Sequence, residues 1–334
     1  MLMQMSTFFQ LWHIVWSSTG MITNSTLLYL ALFQTPRIIR TYAVLIMNFA
    51  IADFSACLMN LFVEIRMLPG DESLTYLLNG FCQFLGTKPC AIGVSLLIHT
   101  LSHQIWCLLI SFCYRYYILK SSNILSRRCL ATIIFLFYIP SFLQAITYWT
   151  NFVDANEILP IAQKYYPNYN FSAETGLLTG IVNLFSPSAT YGIIHIVVPI
   201  TPVYITSFIL RRKILKILSL NQRSMSKETK VIHSQLLKAL TLQTIMPVFE
   251  WTGALDYALL QSGVLTCSLY QYLCFALVII TPTLSPLTYL LFVRPYRNYL
   301  RIKILRQDVS VNFKAHDSTI TKGRTSNIYT TNAG

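Results

Sequence analysis

Seven long apolar runs constrain this chain more than any other feature. They cover residues 8–33, 42–63, 91–119, 129–149, 189–210, 236–260 and 268–293. A helix rising about 1.5 Å per residue needs roughly 20 mostly apolar residues to cross the hydrocarbon core of a bilayer. Each run meets that length, and runs 129–149 and 268–293 hold no Lys, Arg, Asp, Glu or His. Only 11% of the chain is charged, against about 25% in soluble domains. A water-soluble fold would lack the polar surface to cover seven such helices. The expected fold is therefore all-α, a seven-transmembrane helix bundle. The first run is too long for a signal peptide, and the MLMQMSTFFQ segment ahead of it has no Lys or Arg.

Charge sets the orientation. The net charge is +13, but the cations are not spread evenly. Segments 34–41, 120–128, 211–235 and 294–334 hold 20 Lys and Arg, whereas 1–7, 64–90, 150–188 and 261–267 hold 3. Loops rich in Lys and Arg stay in the cytoplasm, so the N-terminus is outside. The basic balance is thus an orientation signal and no nucleic-acid partner is expected. The sequon at Asn170 falls in a loop assigned to the outside, where glycosylation is possible. The sequon at Asn24 lies inside the first helix and is expected to be unused.

Ionisable groups inside a membrane are costly and tend to face the bundle interior, where they mark function. Among them are Asp53, His99, His103, Arg115, His195, Lys238, Glu250 and Asp256. Asp53 sits midway along the second run, and Arg115 at the inner end of the third. His195, Glu250 and Asp256 occupy outer halves, within reach of an aqueous pocket or of the interface. Lys238 is placed to snorkel. His99 and His103 share a helix face, yet no third ligand matches them, so no metal is expected. No catalytic set is expected either. Asp53 and Asp256 lie at different depths, and neither Gly-x-Gly-Asp nor Gly-x-Ser-x-Gly occurs. The seventh run has no Lys for a retinal Schiff base, so no cofactor is expected.

The motifs narrow the reading further. Asn24 lies in the first helix, and Ala50-Ile51-Ala52-Asp53 in the second. Cys90 and Arg115 are 25 residues apart, with Arg115 in Tyr114-Arg115-Tyr116. Pro247 lies in the sixth helix, and Ser285-Pro286-Leu287-Thr288-Tyr289 in the seventh. This order resembles that of rhodopsin-like G protein-coupled receptors. There are departures: Tyr114 stands where an Asp is usual, Ser285 where an Asn is usual, and loop 150–188 has no Cys. The usual bridge from the third helix to that loop therefore cannot form. Cys82, Cys90 and Cys267 remain as outer disulfide candidates, with pairing open. Four further stretches carry a closer resemblance: Gly86-Thr-Lys-Pro-Cys90, Ser111-Phe-Cys-Tyr-Arg-Tyr-Tyr-Ile-Leu119, His233-Ser-Gln-Leu-Leu-Lys-Ala-Leu-Thr-Leu-Gln243 and Phe292-Val-Arg-Pro-Tyr-Arg297. With these the chain is similar to nematode serpentine chemoreceptors of the str superfamily, and among them to the delta class.

The resemblance implies a chemosensory receptor at the plasma membrane, or in a sensory cilium. It would bind an odorant or pheromone-like small molecule from outside and activate a heterotrimeric G protein inside. By helix position the ligand-binding candidates are Leu97, Leu101, His195, Glu250, Trp251 and Gln271. A polar cluster of Asn24, Asp53, Gln104, Thr281 and Ser285 is expected in mid-membrane, holding water with a proton or sodium ion. Coupling and switching fall to Tyr114, Arg115, Tyr116, Pro247, Pro286 and Tyr289, with the prolines as hinges because each removes a backbone donor. Residues 1–306 form the receptor domain on this reading. Its end, 294–306, is a basic amphipathic helix on the lipids of the inner leaflet, and 307–334 is a disordered cytoplasmic tail with Ser and Thr open to phosphorylation. A multi-pass transporter or ligand-gated channel is the alternative, but the chain shows no internal repeat.

Overall fold

The computed structural model describes residues 2–36, 39–121, 125–220 and 227–304. Four of the seven crossings are single helices: α1 (Leu2–Phe33), α2 (Tyr42–Val63), α3 (Thr87–Lys120) and α4 (Arg127–Trp149). A short α5 (Ala155–Tyr165) follows in the outer loop. The fifth crossing is α6 (Pro187–Val197) with α7 (Ile200–Leu220), and the sixth is α8 (Lys227–Gln243) with α9 (Pro247–Gln261). The seventh is α10 (Tyr270–Val278) with α11 (Ile280–Phe292), and α12 (Arg294–Ile304) ends the described chain. Residues up to Arg297 form one unit; those from Asn298 form another, described to residue 304 as the end of α12. The tail 307–334 and most of basic segment 221–235 lie outside the described backbone or side chains.

Among the described residues, five stretches are long and apolar enough to cross a membrane unaided: α2, α3, α4, Pro187–Leu220 and Tyr270–Phe292. The other two crossings fall short for visible reasons. Ser, Thr, Asn and Gln recur along α1, and the sixth crossing is divided into helices of 17 and 15 residues. α3 is the central helix, packing against α2, α4 and α7.

Proline chemistry explains the interruptions. The chain turns at 244–246, directly before Pro247, which has no N–H to donate back to Gln243. In the seventh crossing the break comes at Ile279, four residues after Phe275 and three before Pro282, whereas α11 runs unbroken through Pro286. The hinge expected at Pro286 is therefore displaced toward Pro282. The reason is local. Pro286 leaves the Pro282 carbonyl without its helical donor, and the Asn24 amide supplies one, Nδ2 to O at 3.0 Å. A buried backbone acceptor in lipid needs such a substitute. Asn24 thus braces α1 against α11.

The outer loops build a cap that the apolar pattern does not announce. β1 (Ile65–Pro69) and β2 (Leu74–Leu78) form a hairpin after α2; β3 (Phe152–Val153) and β4 (Leu177–Ile181) come from the loop after α4. They join as one antiparallel sheet in the order β1-β2-β4-β3, with Leu74 opposite Ile181. Every residue of β1 and β2 is buried. The bundle closes one face of the sheet and α5, packed on β4, covers part of the other. Hence neither strand shows the alternation of a half-exposed strand. The bundle is all-α as expected; the cap adds the sheet.

Candidate functional site

Beneath the cap lies a cavity of about 90 Å³. Met67, Leu74 and Tyr76 roof it; Ile98, Leu101 and Ile105 of α3 form one wall, and Ile193, Ile196, Val197 and Ile200 another. α9 contributes Glu250, Gly253, Ala254 and Tyr257, and α10 contributes Cys274, Phe275 and Val278. The lining is apolar apart from tyrosines, a thiol and Glu250. Glu250 is 6% exposed and its Oε2 has no hydrogen-bond partner among the described residues. A mostly apolar cavity with a few convergent polar groups is the usual form of a small-molecule site.

Of the six ligand-binding candidates, Leu101 and Glu250 line this cavity. The others sit elsewhere. Leu97 is packed into the core below the cap. His195 lies 6.4 Å from Trp106 and 5.6 Å from Tyr191, ring to ring, beside the cavity. Trp251 is 52% exposed on the outward face of α9, since one residue along a helix turns the side chain by about 100°. Gln271 is buried but serves the cap, as described below. Position along the helix located these residues in depth; it carried no information about rotation.

A second cavity, about 30 Å³, lies deeper. One water needs about 10–15 Å³, so there is room for about two. Asp53, Gln104, Thr281 and Ser285 line it, joined by Gln243, Met246, Pro247 and again Glu250 and Ile105. Asn24 lies outside it, on the Pro282 carbonyl. Gln243 Nε2 donates to Ser285 Oγ at 3.1 Å, Ser285 hydrogen-bonds Asp53, and Thr281 Oγ1 donates to the Met246 carbonyl at 3.2 Å. The break in the sixth crossing is thereby tied to the seventh. Neither amide atom of Gln104 has a hydrogen-bond partner among the described residues. Buried polar atoms left unpaired cost about 1–3 kcal/mol each, so their convergence on a void suits water or a small polar occupant.

At the inner end Arg115 is 1% exposed, with its guanidinium carbon 4.6 Å from the Tyr42 ring centroid. Tyr42 stacks near Tyr114 at 6.2 Å and its hydroxyl meets that of Tyr289 at 3.5 Å. Tyr116 faces the basic edge, its ring 5.9 Å from both the Lys120 and Lys213 ammonium groups. Arg115, Tyr114 and Tyr289 therefore converge on Tyr42, a residue of α2 that no motif had marked.

The cap is held by a cation in an unexpected place. Arg66 of β1, 1% exposed, pairs with Glu174 at 3.0 Å and donates to the Tyr169 hydroxyl at 2.6 Å. Its other nitrogens donate to Gln271 Oε1 at 3.1 and 2.7 Å, and Tyr272 lies under it at 4.6 Å. A cation standing alone between Ile65 and Met67 was the sequence signal for a buried partner. Cys82 and Cys90 are bridged, which pins the hairpin's exit to the first turn of α3, while Cys267 is an exposed free thiol. Asn170 is exposed, its Oδ1 accepting from Ser172 N–H. Glu64 ends α2 in the left-handed region, φ 42°, and burial pushes its carboxyl up to about 7.

These features agree with three comparisons. Residues 9–302 match the family model described as "Serpentine type 7TM GPCR chemoreceptor Srd". The chain is 45% identical over 315 residues to serpentine receptor class delta-19 of Caenorhabditis elegans, spanning 94% of this chain and 92% of that one. It is 47% identical over 299 residues to serpentine receptor class delta-18 of the same organism, spanning 89% and 88%. Among solved structures it is similar to squid rhodopsin, with a TM-score of 0.63 at 15% identity over 90% of this chain and 85% of that one, a likeness of fold alone. A capped seven-helix bundle with an apolar outer cavity, a polar middle and a buried Arg at its cationic end is thus a multi-pass membrane receptor, and the chain belongs to the Srd family of serpentine G protein-coupled chemoreceptors.

Proposed function

We propose that this receptor takes a small, largely apolar odorant or pheromone-like molecule into the cavity under the cap and activates a heterotrimeric G protein at its basic inner face. One observation carries the reading: Glu250 and Ile105 line both the outer cavity and the polar cavity below it. A ligand touching Glu250 changes the partner of a carboxylate that also faces Asp53, Gln104 and the Gln243–Ser285 link. That link spans the break before Pro247. Only a ligand with different affinity for the two arrangements shifts their balance, and Glu250 is placed to supply the difference.

On this reading Arg115, Tyr42 and Tyr289 form the inner end of the switch, and the cations of 211–235 meet the G protein. α12 rests on lipid headgroups, and Ser and Thr of 307–334 accept phosphate during desensitisation. The receptor works at the plasma membrane, in a sensory cilium, with glycan on Asn170. The test is expression in cells with a G protein readout against a panel of small odorants. A compound that activates the wild type should fail on Leu101→Trp, which fills the cavity, and weaken at least tenfold on Glu250→Gln. Full potency on Leu101→Trp would place the ligand elsewhere.

A further inference from the structure

The outer cavity has a buried roof and a wall that reaches the surface. Met67, Leu74 and Tyr76, each at most 3% exposed, close it from above. The roof is tied to three crossings: Tyr76 to Tyr148 of α4, hydroxyl to hydroxyl at 2.7 Å; Arg66 to Gln271 of α10; and the Gly70 carbonyl to the Gln261 amide of α9. A ligand descending from the outer water would have to part the sheet and uncover the Arg66–Glu174 pair, leaving charge without compensation.

The side is different. α6 packs against α4 and α3, and α9 against α10, but α6 and α9 hardly touch one another. Along this seam the cavity lining reaches the surface: Val197 of α6 is 36% exposed, and Ala254 and Tyr257 of α9 are half-buried. Its flanks, Val198 at 57% and Trp251 at 52%, are apolar and face outward, where the bundle meets lipid. We infer that the ligand enters sideways from the outer leaflet, through the slit between α6 and α9, and that the receptor selects molecules neutral and lipid-soluble in transit. The bilayer concentrates such molecules in proportion to the apolar surface they bury, and the side chains Val197, Val198, Ala254 and Trp251 along the slit carry no charge. This deepens the proposed function and rests on the outer cavity being the ligand site.

Cys274, a free thiol that is 8% exposed and lines the cavity, reports access without a known ligand. Receptor in intact membranes is treated with phenylmercuric acetate, neutral and lipid-soluble, or with p-chloromercuribenzenesulfonate, charged and confined to water. Blocking at Cys274 is read by mass spectrometry after unfolding and alkylation, with exposed Cys267 as the water-side control. The neutral reagent should block Cys274 at least tenfold faster than the sulfonate, and Val197→Trp should slow it at least fivefold with Cys267 unchanged. Val197 is 36% exposed at the mouth of the slit, which leaves a larger side chain room toward lipid; Ala254→Trp repeats the test from the other side of the slit. Equal rates for the two reagents, a rate unmoved by both tryptophans, or a Cys274 that neither reagent reaches would each overturn lateral entry. Failure of the ligand site itself shows separately, as full signalling by Leu101→Trp.

Discussion

The Arg115 guanidinium lies against the face of Tyr42, 4.6 Å from the ring centroid, at the inner end of the bundle. A desolvated cation on an aromatic face is worth about 2 kcal/mol or more. The same Tyr42 reaches Tyr289 through its hydroxyl, so the second, third and seventh crossings share one residue where a switch must act. Arg115→Ala should abolish G protein activation while surface labelling stays at wild-type level. Tyr42→Leu, which removes the ring face and the hydroxyl together, should raise agonist-free signalling severalfold in the same assay. Unchanged coupling in Arg115→Ala would take this residue out of the mechanism.

The polar cavity makes a second prediction. Gln243 holds Ser285 across the break before Pro247, and a hydrogen bond of this kind contributes about 0.5–1.5 kcal/mol net. Gln243→Leu should therefore move the resting balance by up to about tenfold toward the active form, seen as basal signalling. Asp53→Asn should blunt activation by any agonist found. An Asp53→Asn receptor that signals normally would argue against a role for the cavity.

The cap's disulfide and the unpaired outer thiol should behave oppositely. The bridge closes a short loop, Cys82 to Cys90, for which chain-entropy arguments give about 2–3 kcal/mol. Cys82→Ser and Cys90→Ser should each lower the melting temperature of purified receptor, and together no further than either alone. Cys267→Ser should leave it unchanged.

Glu64 predicts a pH dependence. Burial raises its carboxyl from 4.5 to about 7 in the folded protein. Between those values the folded state keeps a proton that the unfolded chain has released, so stability falls as pH rises through the window. Wild-type receptor should lose melting temperature from pH 5 to pH 7.5 more steeply than Glu64→Gln. Parallel melting profiles would mean that Glu64 is solvated when ionised.

Particular residues show how much was readable beforehand. Of Asn24, Asp53, Gln104, Thr281 and Ser285, grouped by helix depth, the last four line one cavity, whereas Asn24 sits on the Pro282 carbonyl. Depth sufficed because a midplane polar group has only the interior to face. Trp251 and Glu250 are neighbours in sequence, yet one faces outward and the other faces both cavities. The weak amphipathicity of a helix apolar on every side leaves its rotation undetermined. Gln271 was assigned to ligand and instead accepts from Arg66, a residue that reads as an ordinary loop cation until the sheet buries it.

The sequence alone determined that the chain crosses a membrane seven times with its cations inside, because hydrocarbon admits only long apolar helices and cations are sorted to one side. Motif order added the receptor family. Tertiary structure decided which faces turn inward, that the hairpin roofs the outer cavity, and that Tyr42 and Arg66 are hubs at the two ends of the bundle. Those outcomes rest on contacts between residues far apart in the chain, such as Arg66 with Gln271 and Tyr42 with Tyr289. No local periodicity encodes such a pairing; it exists only once packing has brought the partners together and excluded water from around them.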